Sequence, residues 1–181
     1  GRDYGCGRKL LSDRDEMMET PMDRIDKILN HDLFLYHLGR NNAAEADRRF
    51  CRHSMVHFLD VARIGTIIAL EEGLKIDREW IYAAALLHDC GKHEQYENGI
   101  PHEQASARIA PEILKTCGFN DEETGVIVTA ISRHRDPEAA KEKNLNGILY
   151  RADKASRACF ACDAEKDCNW KDGKKNLTIK Y

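Results

Sequence analysis

Strand signals are what this chain most lacks. Aromatic residues make up only 7% of its 181 residues. No stretch alternates apolar and polar residues over strand length, and neither Asn98-Gly99 nor Asn146-Gly147 stands between two strand-like segments. A sheet-based fold is therefore not expected. Long apolar runs are missing as well. A spanning helix needs roughly 18 consecutive apolar residues, and the longest candidate, Ile64 to Leu70, falls far short. The opening residues Gly1-Arg2-Asp3-Tyr4-Gly5 have none of the apolar character of a signal peptide. The expectation is a cytoplasmic protein with no membrane partner.

Charge of one sign is not in excess. The formal net charge is −3 and the pI is near 6.3, which supplies no general attraction to a phosphate backbone. No nucleic acid polymer is expected as a partner. A glycine-rich Walker loop is also missing, so a bound nucleotide would not be held by a P-loop. Apolar residues, at 42%, suffice for one core.

Helix signals are frequent. Thr20-Pro21-Met22-Asp23 reads as an N-cap, a proline at the first helical position and an acid in the first turn. The segment that follows predicts a helix to about Leu38, with Gly39 as its stop. Phe50 to Leu70 predicts a second helix and Arg78 to His88 a third, capped by Asp77. Glu94 to Pro101 reads as a loop. A fourth helix starts near His102, with Pro111 expected to kink or restart it. Asn120-Asp121-Glu122-Glu123 is a capping box for a fifth, ending near His134. Gly147 to Asp163 predicts a sixth, and Asn169 to Tyr181 reads as a lysine-rich extension. The class is all-α.

Histidines and aspartates gather at the ends and apolar faces of these helices. His88 and Asp89 follow the small apolar run Ala83-Ala84-Ala85-Leu86-Leu87. A carboxylate in such a place is costly unless it is paired or bound to a metal. His53, His102, His134 and Asp153 occupy further helix ends or faces. Imidazole nitrogen and carboxylate oxygen together suit Fe, Mn, Zn, Co or Ni. A carboxylate can bridge two metals, so Asp89 is the natural bridge if there are two.

These residues also carry a family resemblance. His88-Asp89-Cys90-Gly91-Lys92 resembles the H-D-x-G-K signature of HD-domain phosphohydrolases. His53-Ser54-Met55-Val56 resembles the family's first histidine, and Asp153 in Arg151-Ala152-Asp153-Lys154 its final aspartate. His102-Glu103-Gln104-Ala105-Ser106-Ala107 and His134 resemble the two extra histidines of a two-metal subset, giving H…HD…H…H…D. The resemblance implies a single HD-type helical bundle of about six or more helices over residues 21–165, between an N-terminal extension (1–20) and a C-terminal tail (166–181). It implies His53, His88, Asp89 and Asp153 as the basic metal ligands, widened to two metals by His102 and His134. It also implies a metal-dependent phosphohydrolase that cleaves a small, nucleotide-like phosphate ester or anhydride with metal-activated water. Asp89 and Lys92 carry the chemistry in that scheme, and Lys92, Arg135 and Arg157 meet the substrate phosphate. Two rivals stand beside it: a di-iron HD-type oxygenase with the same ligand set, and a non-catalytic regulatory module that keeps the metal as a clip.

Other residues have plainer readings. His31-Asp32 lacks the following Gly-Lys and reads as surface or packing. His57, one turn after His53, reads as structural or as a support to the ligands, although His53-x3-His57 is a genuine zinc spacing. His37 and His93 have no assigned partner. The seven cysteines, an odd count, suit reduced thiols. Three of them, Cys159-x2-Cys162-x5-Cys168, could make a thiolate site with a fourth ligand such as Cys6 or a histidine.

Overall fold

The computed structural model describes residues 22–181. Thr20, Pro21, Cys6 and the expected N-terminal extension lie outside the described residues. Within them are eight α-helices and no strand: α1 (Asp23–Leu29), α2 (Asp32–Ala44), α3 (Met55–Glu71), α4 (Arg78–Leu87), α5 (Lys92–Asn98), α6 (His102–Thr116), α7 (Asp121–Arg133) and α8 (Leu145–Ala155). No helix among the described residues is long and apolar enough to cross a membrane. Short 3-10 turns follow α7 at Pro137–Lys141 and α8 at Cys159–Ala161, Glu165–Asp167 and Asp172–Lys174.

α4 is the central helix. Its Ala83, Ala84, Ala85, Leu86 and Leu87 are all fully buried. Small side chains there let neighbours come close, and α4 packs against α1, α3, α6, α7 and α8. α6 lies along α7, α7 along α8, and α8 along α3, which closes the bundle around it. Phe34, Phe58, Ile113, Leu114, Ile127, Ile131, Ile148 and Leu149 fill the spaces between. At the N-terminal end of α4, Arg24 pairs with Glu79 at 2.5 Å and with Glu123 at 2.8 Å, tying α1, α4 and α7 together. The expected capping box forms: the Asn120 side chain accepts from the Glu123 N–H, and the Glu123 carboxylate accepts from the Asn120 N–H. The other end of α4 carries His88.

Several boundaries differ from the sequence reading. The first expected helix is two. Asn30 donates from its side chain to the Asp26 carbonyl, and His31 Nδ1 accepts from the Leu33 N–H, so one helix ends and the next starts between them. His31 is thus an N-cap. α2 then runs through Gly39 to Ala44, because Phe34, His37 and Asn41 all bury against the bundle. The second helix starts at Met55, so His53 precedes it. The expected loop after Lys92 is α5, which stops at Gly99 in the left-handed region (φ 70°). Asn98-Gly99 is therefore a helix end. α6 continues through Pro111. α8 ends at Ala155, where the chain turns back in 3-10 turns.

Gly91 decides the geometry after His88. A Cβ there would stand 2.8 Å from both the Ala105 Cβ and the Ser106 N, and the Gly91 N–H donates to Ser106 Oγ at 3.0 Å. Backbone meets backbone at that point, so Gly91→Ala is expected to destabilise by about 1–3 kcal/mol. Gly39 is exposed, helical and has nothing within 4 Å of its would-be Cβ. Gly39→Ala should stabilise by roughly 0.5–1 kcal/mol. Opposite shifts of thermal midpoint in the two variants are the expected result; matching shifts would contradict this packing.

Candidate metal centre

Five helices deliver imidazoles and carboxylates to one point. His88 stands at the C-cap of α4, with Asp89 in the turn after it. His57 comes from the first turn of α3, His102 from the start of α6, His134 from the C-cap of α7 and Asp153 from α8. His88, Asp89, His134 and Asp153 are each at most 2% exposed.

Two groups form around Asp89. In the first, His57, His88, Asp89 and Asp153 each bring a ligand atom within 4.8 Å of the others; in the second, Asp89, His102 and His134 do so. Asp89 divides its oxygens between them. Oδ2 lies 3.1 Å from His88 Nε2 and 3.5 Å from His57 Nε2. Oδ1 lies 3.2 Å from His102 Nε2 and 3.5 Å from His134 Nε2. Donor atoms placed about 2.1 Å from a shared ion stand roughly 3–3.5 Å apart, so these spacings suit ligation with little movement.

The tautomers point the same way. His88 Nδ1 donates to the Ala85 carbonyl and His134 Nδ1 to the Ile131 carbonyl, both at 2.7 Å. His102 Nδ1 lies 2.5 Å from Gln95 Oε1, and His57 Nδ1 lies 3.3 Å from Ser156 Oγ, whose own proton goes to the Asp153 carbonyl. With each Nδ1–H engaged outside, each Nε2 lone pair faces inward, as metal-ligating histidines are usually held. Four inward atoms, His57 Nε2, His88 Nε2, Asp89 Oδ1 and Asp153 Oδ1, are buried and make no hydrogen bond. Buried polar atoms without partners are rare and costly. A divalent cation would satisfy all four.

Electrostatics reinforce the fit. Burial resists charge at His88, yet the Asp89 and Asp153 carboxylates overcome it and carry its pKa up to about 10. Burial likewise works against the Asp89 and Asp153 charges, but His88 and its neighbours hold both carboxyls well below their usual range. Without a metal, the site's positive charge comes from Lys154, whose Nζ is 2.5 Å from Asp153 Oδ2, and from the proton on His88. Ligation would release it. Burial lowers His57, and takes His102 down to about 3, so both are neutral bases. The Cys90 thiol beside them is pushed up to about 12 by burial and is no thiolate ligand.

Of the six residues expected as ligands, His88, Asp89, His102, His134 and Asp153 are in the two groups. His53 is beside them: its Nε2 is 3.6 Å from Asp89 Oδ2. Glu45 holds it from behind, accepting from His53 Nδ1 at 2.6 Å and from the His53 N–H at 2.7 Å. Burial opposes the Glu45 charge, but these bonds and one from Tyr96 hold its carboxyl down at about 2. The place expected for His53 in the first group is taken by His57. The signal was its register: His57 precedes the buried Val61 and Gly65 by four and eight residues, on the inner stripe of α3. Sequence reasoning also passed over Asn41. Fully buried, it donates to the Asp89 carbonyl and accepts from the His93 N–H, each at 2.8 Å, and so fixes the turn that carries Asp89. His37 and His93 pair with each other, ring nitrogens 2.8 Å apart.

Lys92 is buried, with Nζ 3.2 Å from His102 Nδ1 and facing the same cleft. Arg135 and Arg157 also line that cleft; Arg157 lies 3.7 Å from Asp153 Oδ1 and stacks over Trp170.

The chain is similar to known proteins. The family model described as HD domain matches residues 55–164, which take in His57 and begin just after His53. An uncharacterised protein from Clostridium beijerinckii is 49% identical over 160 residues, covering 88% of this chain and 100% of that protein. Among solved structures, the crystal structure of a predicted HD superfamily hydrolase from an uncultured Thermotogales bacterium aligns with a TM-score of 0.57 at 23% identity. It covers 84% of this chain and 87% of that one, a likeness of fold. With the family match spanning more than half of the chain and the His-Asp turn within it, the chain belongs to the HD-domain family.

Proposed function

We propose that this protein is a metal-dependent phosphohydrolase acting on a small, nucleotide-like phosphate ester or anhydride. One observation carries the reading. The cleft above the centre, about 820 Å³, is lined by nine basic side chains: Arg48, Lys92, Arg135, Arg151, Lys154, Arg157, Lys171, Lys174 and Lys180. Among the described residues, Asp89 and Asp153 are the only acids that line it. Arg48, Arg135, Arg151 and Lys154 have carboxylate partners, and the positive charge left over, in a chain of net charge −3, suits a substrate carrying several negative charges. Tyr150, Trp170 and Tyr181 line the same cleft and offer faces on which a base can stack. An oxygenase acting on an uncharged substrate has no need of such a rim.

The ligand set follows from the grouping. His57, His88, Asp89 and Asp153 would hold one metal, and Asp89, His102 and His134 would hold a second. Glu45, through His53, buttresses the first. A divalent metal bound there lowers the pKa of a coordinated water toward neutrality and polarises a phosphoryl oxygen. The chain's own contribution is position and charge. Asn41 fixes the Asp89 turn, and Lys92 donates to the phosphoryl oxygens from a desolvated position. Arg135, Arg157 and the tail lysines orient the remaining phosphate charge. The rings and apolar residues behind the centre keep bulk water to the open side.

A panel of phosphomonoesters, nucleotides and dinucleoside polyphosphates assayed with Mn, Co, Fe, Zn and Ni should show inorganic phosphate or nucleotide release with at least one metal. Oxygen consumption with reduced iron and no hydrolysis would replace this reading by the di-iron one. Lys92→Ala is expected to lower kcat about 10²-fold with metal content nearly unchanged; loss of metal would move Lys92 out of the substrate role.

The ligand set makes its own prediction. His102→Ala combined with His134→Ala should remove one equivalent of metal and leave the other. His57→Ala should lower occupancy of the remaining metal more than His53→Ala does. Equal titration of both metals in the double variant, by elemental analysis, would contradict the assignment.

A further inference from the structure

The segment after α8 is ordered without a core. Between Ser156 and Tyr181 only Ala164 is buried. Phe160, Leu177 and Ile179 are exposed. No α-helix forms there, only three short 3-10 turns. Yet this segment supplies Asn169, Trp170, Lys171, Lys174, Asn176, Lys180 and Tyr181 to the cleft above the His/Asp centre. Segments that cannot bury enough apolar surface are commonly held by disulfides or metals. No disulfide links the described cysteines.

Three of those cysteines converge, and Cys162 follows one of them in the same 3-10 turn. Cys51, Cys159 and Cys168 line one cleft of about 450 Å³, together with Arg48 and Arg157. Cys51 also lies within electrostatic reach of Cys159 and Cys162. The segments are fastened to each other nearby: Arg49, two residues before Cys51, pairs at 2.6 Å with Asp167, the residue before Cys168. The 3-10 turns close on the cysteines themselves. The Cys162 N–H donates to the Cys159 carbonyl at 3.2 Å, and the Cys168 N–H to the Glu165 carbonyl at 3.2 Å.

We propose that Cys51, Cys159, Cys162 and Cys168 bind a metal centre through four thiolates, and that this centre staples the C-terminal segment over the HD site. Cys51 is the fourth ligand that the Cys159-x2-Cys162-x5-Cys168 spacing calls for. Four thiolates select zinc or an iron–sulfur cluster over the harder metals. Metal and sulfide content tell the two apart.

The test uses the full chain purified without oxygen. Iron, zinc and acid-labile sulfide are quantified, and native-state thiols are titrated before and after metal removal. The expected result is metal beyond that of the His/Asp centre, with four thiols becoming reactive when it is stripped and residues 157–181 becoming open to protease. Sulfide with visible absorption identifies the cluster; colourless protein with one zinc identifies the single ion. Cys159→Ser with Cys162→Ser should lose this metal and keep that of the His/Asp centre, while Asp89→Ala should do the reverse. Because the cysteine variant can fail to fold, the wild-type thiol titration stands as an independent measurement. The proposal is overturned if stripping metal leaves thiol reactivity unchanged, or if the folded cysteine variant keeps the wild-type metal content. Either outcome leaves the phosphohydrolase reading to its own assay.

Discussion

Two buried carboxylates set the constraint to which the rest of this bundle answers. Asp89 and Asp153 are each about 2% exposed. Burying a carboxylate has an effective penalty of several kcal/mol even after relaxation, and a domain of this kind has about 5–15 kcal/mol of net stability. Two uncompensated acids would consume most of it. The surroundings are therefore built as a receptor for positive charge. In the metal-free protein the Lys154 ammonium on Asp153 and a proton on His88 supply that charge. On the ligand reading, a cation takes the proton's place, and the inward Nε2 atoms and carboxylate oxygens gain partners that nothing else in the bundle offers them.

That constraint propagates into backbone. Asp89 cannot sit on a helix and face both ligand groups, so α4 ends at Leu87 and the chain turns through Gly91, where Ala105 and Ser106 leave no space for a side chain. The turn is held from the far side by Asn41, which reads one carbonyl and one N–H of the loop at once. α2 thus does more than cover the core. Its Asn41 sets the loop and Glu45, at its C-cap, sets His53, so both ends of the Asp89 environment are anchored to one helix.

What the sequence made legible, and what it did not, divides along physical lines. His88-Asp89 was legible because a polar pair after five small apolar residues conflicts with its surroundings unless it has a job. The capping box at Asn120 and the all-α class were legible because they depend on neighbours within a few residues. The assignment of His53 rested on motif likeness; register along α3 favours His57, because the helix starts at Met55 and its inner stripe runs back through Val61 to His57. α5 was unreadable as a helix since Lys92-His93-Glu94-Gln95-Tyr96 has almost no apolar stripe; its burial is by His93 and Lys92, which are inside for chemical reasons. Asn41 carries no local pattern, as its partners are 48 and 52 residues away.

The tail was read as an appendage because its composition, rich in lysine and poor in apolar residues, describes a segment with no core of its own. The same composition is what a phosphate-binding rim requires, and the structure folds it onto the cleft. Asn176 donates to the carbonyls of Lys154 and Arg157, stitching the tail to the end of α8. Arg157 then touches three things at once: the Asp153 carboxylate, the Trp170 ring and the cysteine cleft. Because one guanidinium serves all three, the position of the tail and the charge around Asp153 cannot vary independently. A change that loosens the cysteine-lined side withdraws Arg157 and Trp170 from the cleft together, and with them part of the positive rim that the proposed substrate needs.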